Sequence, residues 1–482
     1  MLDTLPDDII LIIINQLGYL DKTRLSIINK HLLTIFNKYN ISDDTVLDIT
    51  YDDIISSDWS FNKDKYNHKK DFYKKINSCL KKFPNIKIHL SNNYYLSKRF
   101  HNNIYSYNYN IRFKNKKVLN YVLKCPNLKN LIINNRDMHY DITSHYLNIN
   151  FSNYKMLNLN KLELINCDID DISLLGNIND LTLKFCDVKI LPKEFNNKYL
   201  SFYSCSFLNN ENISIIKNTY KLSIEFCDNI TDLSCLKTNI KELILNNNNN
   251  NILRYTRLDN LEYLYIHSVN NLDYLGENIK KLCISSSILN NLPKIKYLEE
   301  LEIFNSDINI NLDKMDNLKK IKIYYNRHIN ELFDIKNITS LTIKRCTLLN
   351  INSLCNIETM DLIDITCCDL PDISPLKNMK HINKLILLEC NNLSDITPLK
   401  NIISINSLKL SYSLDISDFS PLSNIKIKNL YVSHCNVDKD NLKYFNNLEL
   451  LDISYIKYKM SKSELNEYII NNNILEIKTE YF

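Results

Sequence analysis

The residues best able to do chemistry in this 482-residue chain are its fourteen cysteines and ten histidines. A tetrahedral zinc site draws on cysteine and histidine pairs at short, regular spacings. No Cys-x-x-Cys pair occurs, and the adjacent Cys367 and Cys368 are poor joint ligands for one ion. Loops that cradle phosphates need several glycines close together, and the chain has three, Gly18, Gly176 and Gly276, far apart. The ten histidines are scattered. These residues predict no catalytic group, no metal and no cofactor.

Charge narrows the classes further. Fifty-nine Lys and Arg against 55 Asp and Glu leave a net charge of +4, which gives no electrostatic case for nucleic acid, since that would call for a clustered basic face. The densest basic stretch, Lys63 to Lys82, interleaves Lys69, Lys70, Lys74, Lys75, Lys81 and Lys82 with Phe72 and Tyr73. It reads as a solvated amphipathic helix or linker, with RNA contact as the alternative.

The cysteines make sense once the elements around them are identified. A pattern of leucine, any, leucine, any, any, then cysteine, asparagine or a small residue starts at Leu162, Leu181, Leu200, Leu222, Leu243, Leu264, Leu282, Leu301, Ile321, Leu341, Leu362, Leu385, Leu408, Leu430 and Leu451. Leucines at i and i+2 fall on one side of a short strand, an apolar edge that one unit cannot bury alone. Stacking buries it. The position five residues after the first leucine turns the chain inward. Cys167, Cys186, Cys205, Cys227, Cys346, Cys367, Cys390 and Cys435 fill it, with Asn248, Asn326, Ser287, Ser306 and Ser413 elsewhere. Val269, Ile456 and the core-facing Asp364 are departures. The repeat resembles a leucine-rich-repeat solenoid, which implies an α/β solenoid, curved, with a parallel sheet on its concave side. Units this short, the longest running from Leu362 to Leu385 and from Leu385 to Leu408, leave no room for a full helix on the convex side, so turns, extended chain or single 3₁₀ turns are expected there. Asp372-Ile373-Ser374-Pro375-Leu376 and its counterparts at 395–399 and 418–422 resemble the convex segments of short bacterial-type repeats.

The ladder placement argues for buried thiols, not a disulfide framework, and His434 beside Cys435 is no nucleophile pair when that cysteine faces inward. Free thiols imply a reducing compartment. Asp3, Asp7 and Asp8 occupy the place where a signal peptide carries positive charge, and no run approaches the roughly 18 apolar residues of a membrane span. The chain is expected in the cytoplasm or nucleus and not secreted. It contains no alanine and abundant asparagine, isoleucine, lysine and tyrosine, a composition similar to that of proteins encoded by large AT-rich DNA viruses of protists. That resemblance would place it in host cytoplasm. It also takes functional weight off the asparagine run from Asn246 to Asn251.

Function is expected on the concave face, at positions i+1, i+3 and i+4. Ten of those 45 positions are aromatic: Phe185, Tyr203, Phe226, Tyr265, Phe304, Tyr324, Tyr325, Tyr412, Tyr431 and Tyr455. Aromatic side chains supply large rigid contact area at interfaces, although strands favour them in any case. At about 4.8 Å per strand the face would run roughly 70 Å.

The stretch 1–40 differs from the rest. Leu5, Pro6, Asp7 and Asp8 open an apolar run that ends at Leu17, and Asp21 precedes Leu25, Ile28, Leu32 and Phe36 at helical spacing. Proline at a first helical position with acids in the first turn suits a helix start. This stretch resembles an F-box, matching at Leu5, Pro6, Asp8, Ile9, Ile13, Leu17, Asp21, Leu25, Ile28 and Lys30, and departing at Leu32 and Lys22. The resemblance implies that Leu5, Pro6, Asp8, Ile9, Ile13, Leu17, Leu25 and Ile28 bind a Skp-type adaptor of a cullin-RING ubiquitin ligase while the repeats hold a target protein. A plain leucine-rich-repeat scaffold with no ubiquitin role is the alternative.

The expected organisation is a helical module at 1–40, a linker or accessory helices at 41–83, irregular repeats with an insertion at 84–156, regular repeats at 157–456 and a cap at 457–482. Pro84-Asn85-Ile86-Lys87-Ile88 and Pro126-Asn127-Leu128-Lys129-Asn130-Leu131 read as two irregular repeat starts. Ser461 and Glu464 form a capping-box spacing ahead of a closing helix.

Overall fold

The computed structural model describes residues 46–50, 87–91, 128–134, 147–153 and 159–479, less a few short stretches, of which 247–257 and 327–336 are the longest. The F-box-like module and the basic stretch at 63–82 lie outside the described residues. The chain divides into two compact units, Met1–Ile230 with Cys235–Ile240, and Lys241–Phe482 with Thr231–Ser234.

Each unit is a parallel β-solenoid with one short front strand per coil. In the first, Leu47, Ile88, Leu131, Leu162, Leu181, Leu200 and Leu222 follow one another in register across parallel strands. The strand Val46–Thr50 falls inside the segment expected to be linker or accessory helices. Lys87–Ser91 and Asn130–Asn134 are the strands of the two irregular starts. In the second unit the register runs from Leu243 through Leu264, Leu282, Leu301, Ile321 and Leu341. It continues through Ile363, Leu385, Leu408, Leu430, Leu451 and Ile477.

One register is corrected. Leu341 pairs with Ile363, not Leu362, and Ile363 and Ile365 are the fully buried residues of that strand. Three apolar side chains, Leu362, Ile363 and Ile365, allow two readings, and burial selects the one that keeps Asp364 out of the core. The ladder residue is therefore Cys368, and Cys367 sits one position earlier, half-exposed. The correction also places Ile363 midway along the chain between its two register partners, Leu341 and Leu385.

The core follows from the period. Within Asp180–Lys184 the burial alternates, Leu181 and Leu183 inward, and each fully buried leucine contributes roughly 2–3 kcal/mol relative to exposure. The ladder then closes the coil. Cys186 Sγ donates to Leu164 O at 3.4 Å, Cys205 to Leu183 O at 3.3 Å, Cys368 to Ile343 O at 3.6 Å, Cys390 to Ile365 O at 3.4 Å and Cys435 to Leu410 O at 3.0 Å. Ser413 does the same with Leu387 O at 3.3 Å. A thiol or hydroxyl thus satisfies a carbonyl that would otherwise be buried without a donor.

The far side of each coil is short. In the first unit it includes a second parallel sheet of Leu147–Asn150, Cys167–Asp171 and Asp187–Ile190. In the second, single 3₁₀ turns occur at Asn352–Leu354, Ser374–Asn378, Thr397–Asn401 and Ser420–Leu422. The Asp of each Asp-x-Ser/Thr-Pro-Leu segment accepts the backbone N–H two residues on, Ser374 to Asp372 at 2.7 Å, Thr397 to Asp395 at 2.8 Å and Ser420 to Asp418 at 2.8 Å. Asparagines form a second ladder. Asn278, Asn317 and Asn337 each donate through Nδ2 to a backbone carbonyl of the preceding coil, at 2.5, 2.8 and 3.0 Å.

Lys462–Asn472 is the one α-helix among the described residues. Its start is a capping box, Ser461 N to Glu464 Oε2 at 2.9 Å and Glu464 N to Ser461 Oγ at 3.3 Å. Tyr468 donates to the Leu442 and Phe445 carbonyls. A last strand, Glu476–Lys478, then pairs with Leu450–Asp452. No helix among the described residues is long and apolar enough to cross a membrane.

Candidate interaction face

The outward face of the strands is built by the same alternation that builds the core. Residues i+1 and i+3 point away from the leucines, and so does i−1, a position absent from the expected set. Tyr199 and Tyr263 enter the face by that route. Period-two alternation alone would have found them.

Position i+4 is different. It leaves the strand in a left-handed conformation, with φ of 52° at Phe185, 55° at Phe226, 56° at Tyr325, 62° at Tyr412, 54° at His434 and 56° at Tyr455. The cause is the hydrogen-bond ladder, which runs on past the strand end. Phe185 N donates to Tyr203 O at 2.8 Å, Tyr325 N to Lys344 O at 2.9 Å and Tyr412 N to Ser433 O at 3.0 Å. Left-handed backbone costs an L-residue roughly 1–2 kcal/mol, and glycine or asparagine would sit there most easily. Strand preference therefore does not account for Phe185, Phe226, Tyr325, Tyr412 and Tyr455.

The rings meet in groups. In the first unit Tyr203 lies 5.0 Å from Phe185 and 4.9 Å from Phe226, ring centre to ring centre. In the second, Phe304 stacks on Tyr324 at 4.5 Å, and His434 is stacked between Tyr412 at 4.3 Å and Tyr455 at 4.5 Å. Lys409 Nζ sits 4.4 Å above Tyr431 and the Arg345 guanidinium 5.6 Å from Tyr325. Tyr265 stands on the same face, half-buried. All ten expected aromatic positions thus face outward or along the rim, none of them fully buried.

Between the aromatic groups the face is ionic and internally matched. Lys281 lies 3.3 Å from Glu300 and 3.7 Å from Glu302, and Lys322 lies 2.9 and 3.8 Å from the same carboxylates. The hydrogen bond that Lys322 donates to Glu300 holds that ammonium above its ordinary pKa. Asp364, at i+1, is 6 % exposed and is held by Lys344 at 2.8 Å and the Thr366 hydroxyl at 2.7 Å.

Among the described residues most ladder thiols are buried. Burial pushes the Cys390 and Cys435 thiols up to about 12, far from the thiolate a nucleophile requires. Cys435 points inward, away from the His434 ring. The half-exposed Cys367 is also raised, by burial and by its hydrogen bond to Glu389. Burial lowers His267. No group of three or more His, Cys, Asp or Glu side chains converges as metal ligands among the described residues. The adaptor-binding residues expected at Leu5, Pro6, Asp8, Ile9, Ile13, Leu17, Leu25 and Ile28 lie outside the described residues.

No family model matches the chain, and no curated protein is significantly similar to it. Among solved structures, an internalin from Listeria monocytogenes aligns with 68 % of this chain and 82 % of its own, at 15 % identity and a TM-score of 0.35. The solenoid assignment stands on the strand register itself.

Proposed function

We propose that this chain is a non-catalytic protein-binding scaffold, acting as the substrate-recognition subunit of an SCF-type ubiquitin ligase. The repeats hold a target protein and the F-box-like module at 1–40 holds the Skp-type adaptor, so the contribution is proximity and the chemistry belongs to the partners. The observation that carries the scaffold reading is the row of outward aromatic rings held at left-handed positions, where backbone preference opposes them. Strained positions retained on an accessible face are a mark of contact function. The adaptor reading rests on the residues from Leu5 to Lys30. Buried free thiols suit the cytoplasm or nucleus.

The test is a pull-down of the full chain with a eukaryotic Skp-type adaptor, comparing wild type with Leu5→Asp plus Ile28→Asp. Binding by wild type and its loss in the double variant, with circular dichroism unchanged, is the expected result. Absence of binding by wild type removes the ligase role for that adaptor and leaves the scaffold alone. Binding to RNA through Lys63–Lys82 would instead show a steep fall with salt.

A further inference from the structure

Along the flank where the chain enters each strand, the residues two positions before the core leucine form a row in the second unit, and most of its charges are matched coil to coil. Lys241 pairs with Glu262 at 2.8 Å, Glu262 with Lys280 at 2.9 Å, Glu299 with Lys319 at 3.8 Å, and further on Lys428 with Glu449 at 3.3 Å. Neutral members pair as well, Asn406 Nδ2 donating to Asn383 Oδ1 at 2.8 Å. Asp361 breaks the pattern. Its neighbours in the row are Thr339 and Asn383, neither charged, and none of the ion pairs among the described residues includes it.

Thr339, Asp361 and Asn383 border a cleft of about 220 Å³. A second cleft on the same flank lies among Lys241, Glu262, Lys280 and Glu299, whose charges are already matched. The floor of the cleft at Asp361 is apolar, Met360 and Ile382 being 3 % and 2 % exposed. The strands here are eight residues long, Thr359–Thr366 and His381–Leu388, against five in the coils before them. Their added residues bring the Thr359 hydroxyl and His381, whose Nδ1 is engaged with Ser404 Oγ at 2.8 Å, to the rim.

We propose that this cleft receives an arginine side chain of a protein partner, the guanidinium supplying the cation that the row lacks at Asp361. An arginine fork can meet the carboxylate and also donate to nearby oxygens, here the Thr359 hydroxyl and the second lone pair of Asn383 Oδ1, while its stem lies on Met360 and Ile382. The assignment rests on reading the solenoid as protein-binding, and it is independent of the adaptor. It adds an anchor on the flank, outside the aromatic face.

The experiment titrates N-acetyl-arginine methylamide into the full chain labelled at methionine methyl groups and follows the Met360 resonance, assigned with Met360→Leu. A saturable shift is expected, at least tenfold weaker with the citrulline analogue, which keeps the shape and loses the charge, and weaker with the lysine analogue. Asp361→Asn, an exposed and nearly isosteric change, should abolish the response while leaving the other methionine resonances in place. Equal responses to arginine and citrulline, no response to arginine, or a response that survives in Asp361→Asn would overturn the proposal. Because the probe needs no adaptor, failure here and failure of the adaptor pull-down are separate results.

Discussion

The coils that run from Leu162 to Leu181 and from Leu181 to Leu200 are shorter than those that begin at Leu341, Ile363, Leu385 and Leu408. Both sets present the same inward leucine or isoleucine pair and the same ladder, with Cys186 and Cys390 each donating to the carbonyl of the second core residue one coil back. They differ in how the rest of the coil is spent. Short coils close with a second strand, Cys167–Asp171 and Asp187–Ile190, and these two pair with each other from coil to coil. Three of the four long coils close with a proline-containing 3₁₀ turn held by an aspartate and begin their front strand earlier, while the coil from Leu341 closes with the proline-free turn Asn352–Leu354. The core and ladder therefore tolerate length variation because it is absorbed outside them. The early start of the front strand also brings Thr359 and His381 to the cleft at Asp361.

The sharpest break of this comparison is Ile169→Pro. Ile169 lies in the middle strand of the second sheet, between Ile149 and Val188, so proline there removes a ladder hydrogen bond as well as a buried side chain. A loss of about 3 kcal/mol or more is expected, read as a lower urea midpoint, whereas Pro375, Pro398 and Pro421 occupy the corresponding backs of long coils natively. A loss under about 1 kcal/mol, the scale of an ordinary surface change, would mean that the second sheet does not hold the short coils.

A smaller effect tests what the two coil types share. Cys186→Ser and Cys390→Ser should each cost about 1 kcal/mol or less, since a hydroxyl replaces one weak donor with another and Ser287, Ser306 and Ser413 already serve on the ladder. Equal costs in the two regions are expected. A cost of several kcal/mol in one region alone would show that the ladder is not common to both.

Least costly is Asp395→Ala in a long coil, expected to lose about 0.5–1 kcal/mol at pH 7, the ordinary net worth of one exposed hydrogen bond. Hydrogen bonds from the Thr397 hydroxyl and N–H hold the Asp395 carboxyl below its ordinary value of 3.8. The stabilisation is therefore present above 3.8 and is lost as pH falls through and below it. Urea midpoints of wild type and variant should differ at pH 7 and converge in acid. A gap that widens in acid would reverse the assignment.

Much of this fold was legible in the chain. Leu181 and Leu183, or Leu264 and Ile266, announce an inward pair because apolar residues two apart on a strand must share a face. The cysteines five residues on announce a recurring small donor. Leu47-Asp48-Ile49 carries the same apolar pair and could have marked the strand Val46–Thr50, but its surroundings read as linker. Leu362, Ile363 and Ile365 left two registers open, and pairing with Leu341 chose between them. The left-handed rim was invisible because Phe185, Tyr325 and Tyr412 are not residues that ask for positive φ.

By itself the sequence determined most of what depends on residues close along the chain: the period, the inward rows and ladder outside the Ile363 coil, and the capping box at Ser461. It did so because strand alternation and capping are local geometry. Tertiary structure alone decided what depends on neighbours one coil away: which rings stack, which lysines find glutamates, and that Asp361 joins no ion pair among the described residues. Those outcomes are set by the register between coils, and coil length varies on the far side without leaving a trace in the core pattern.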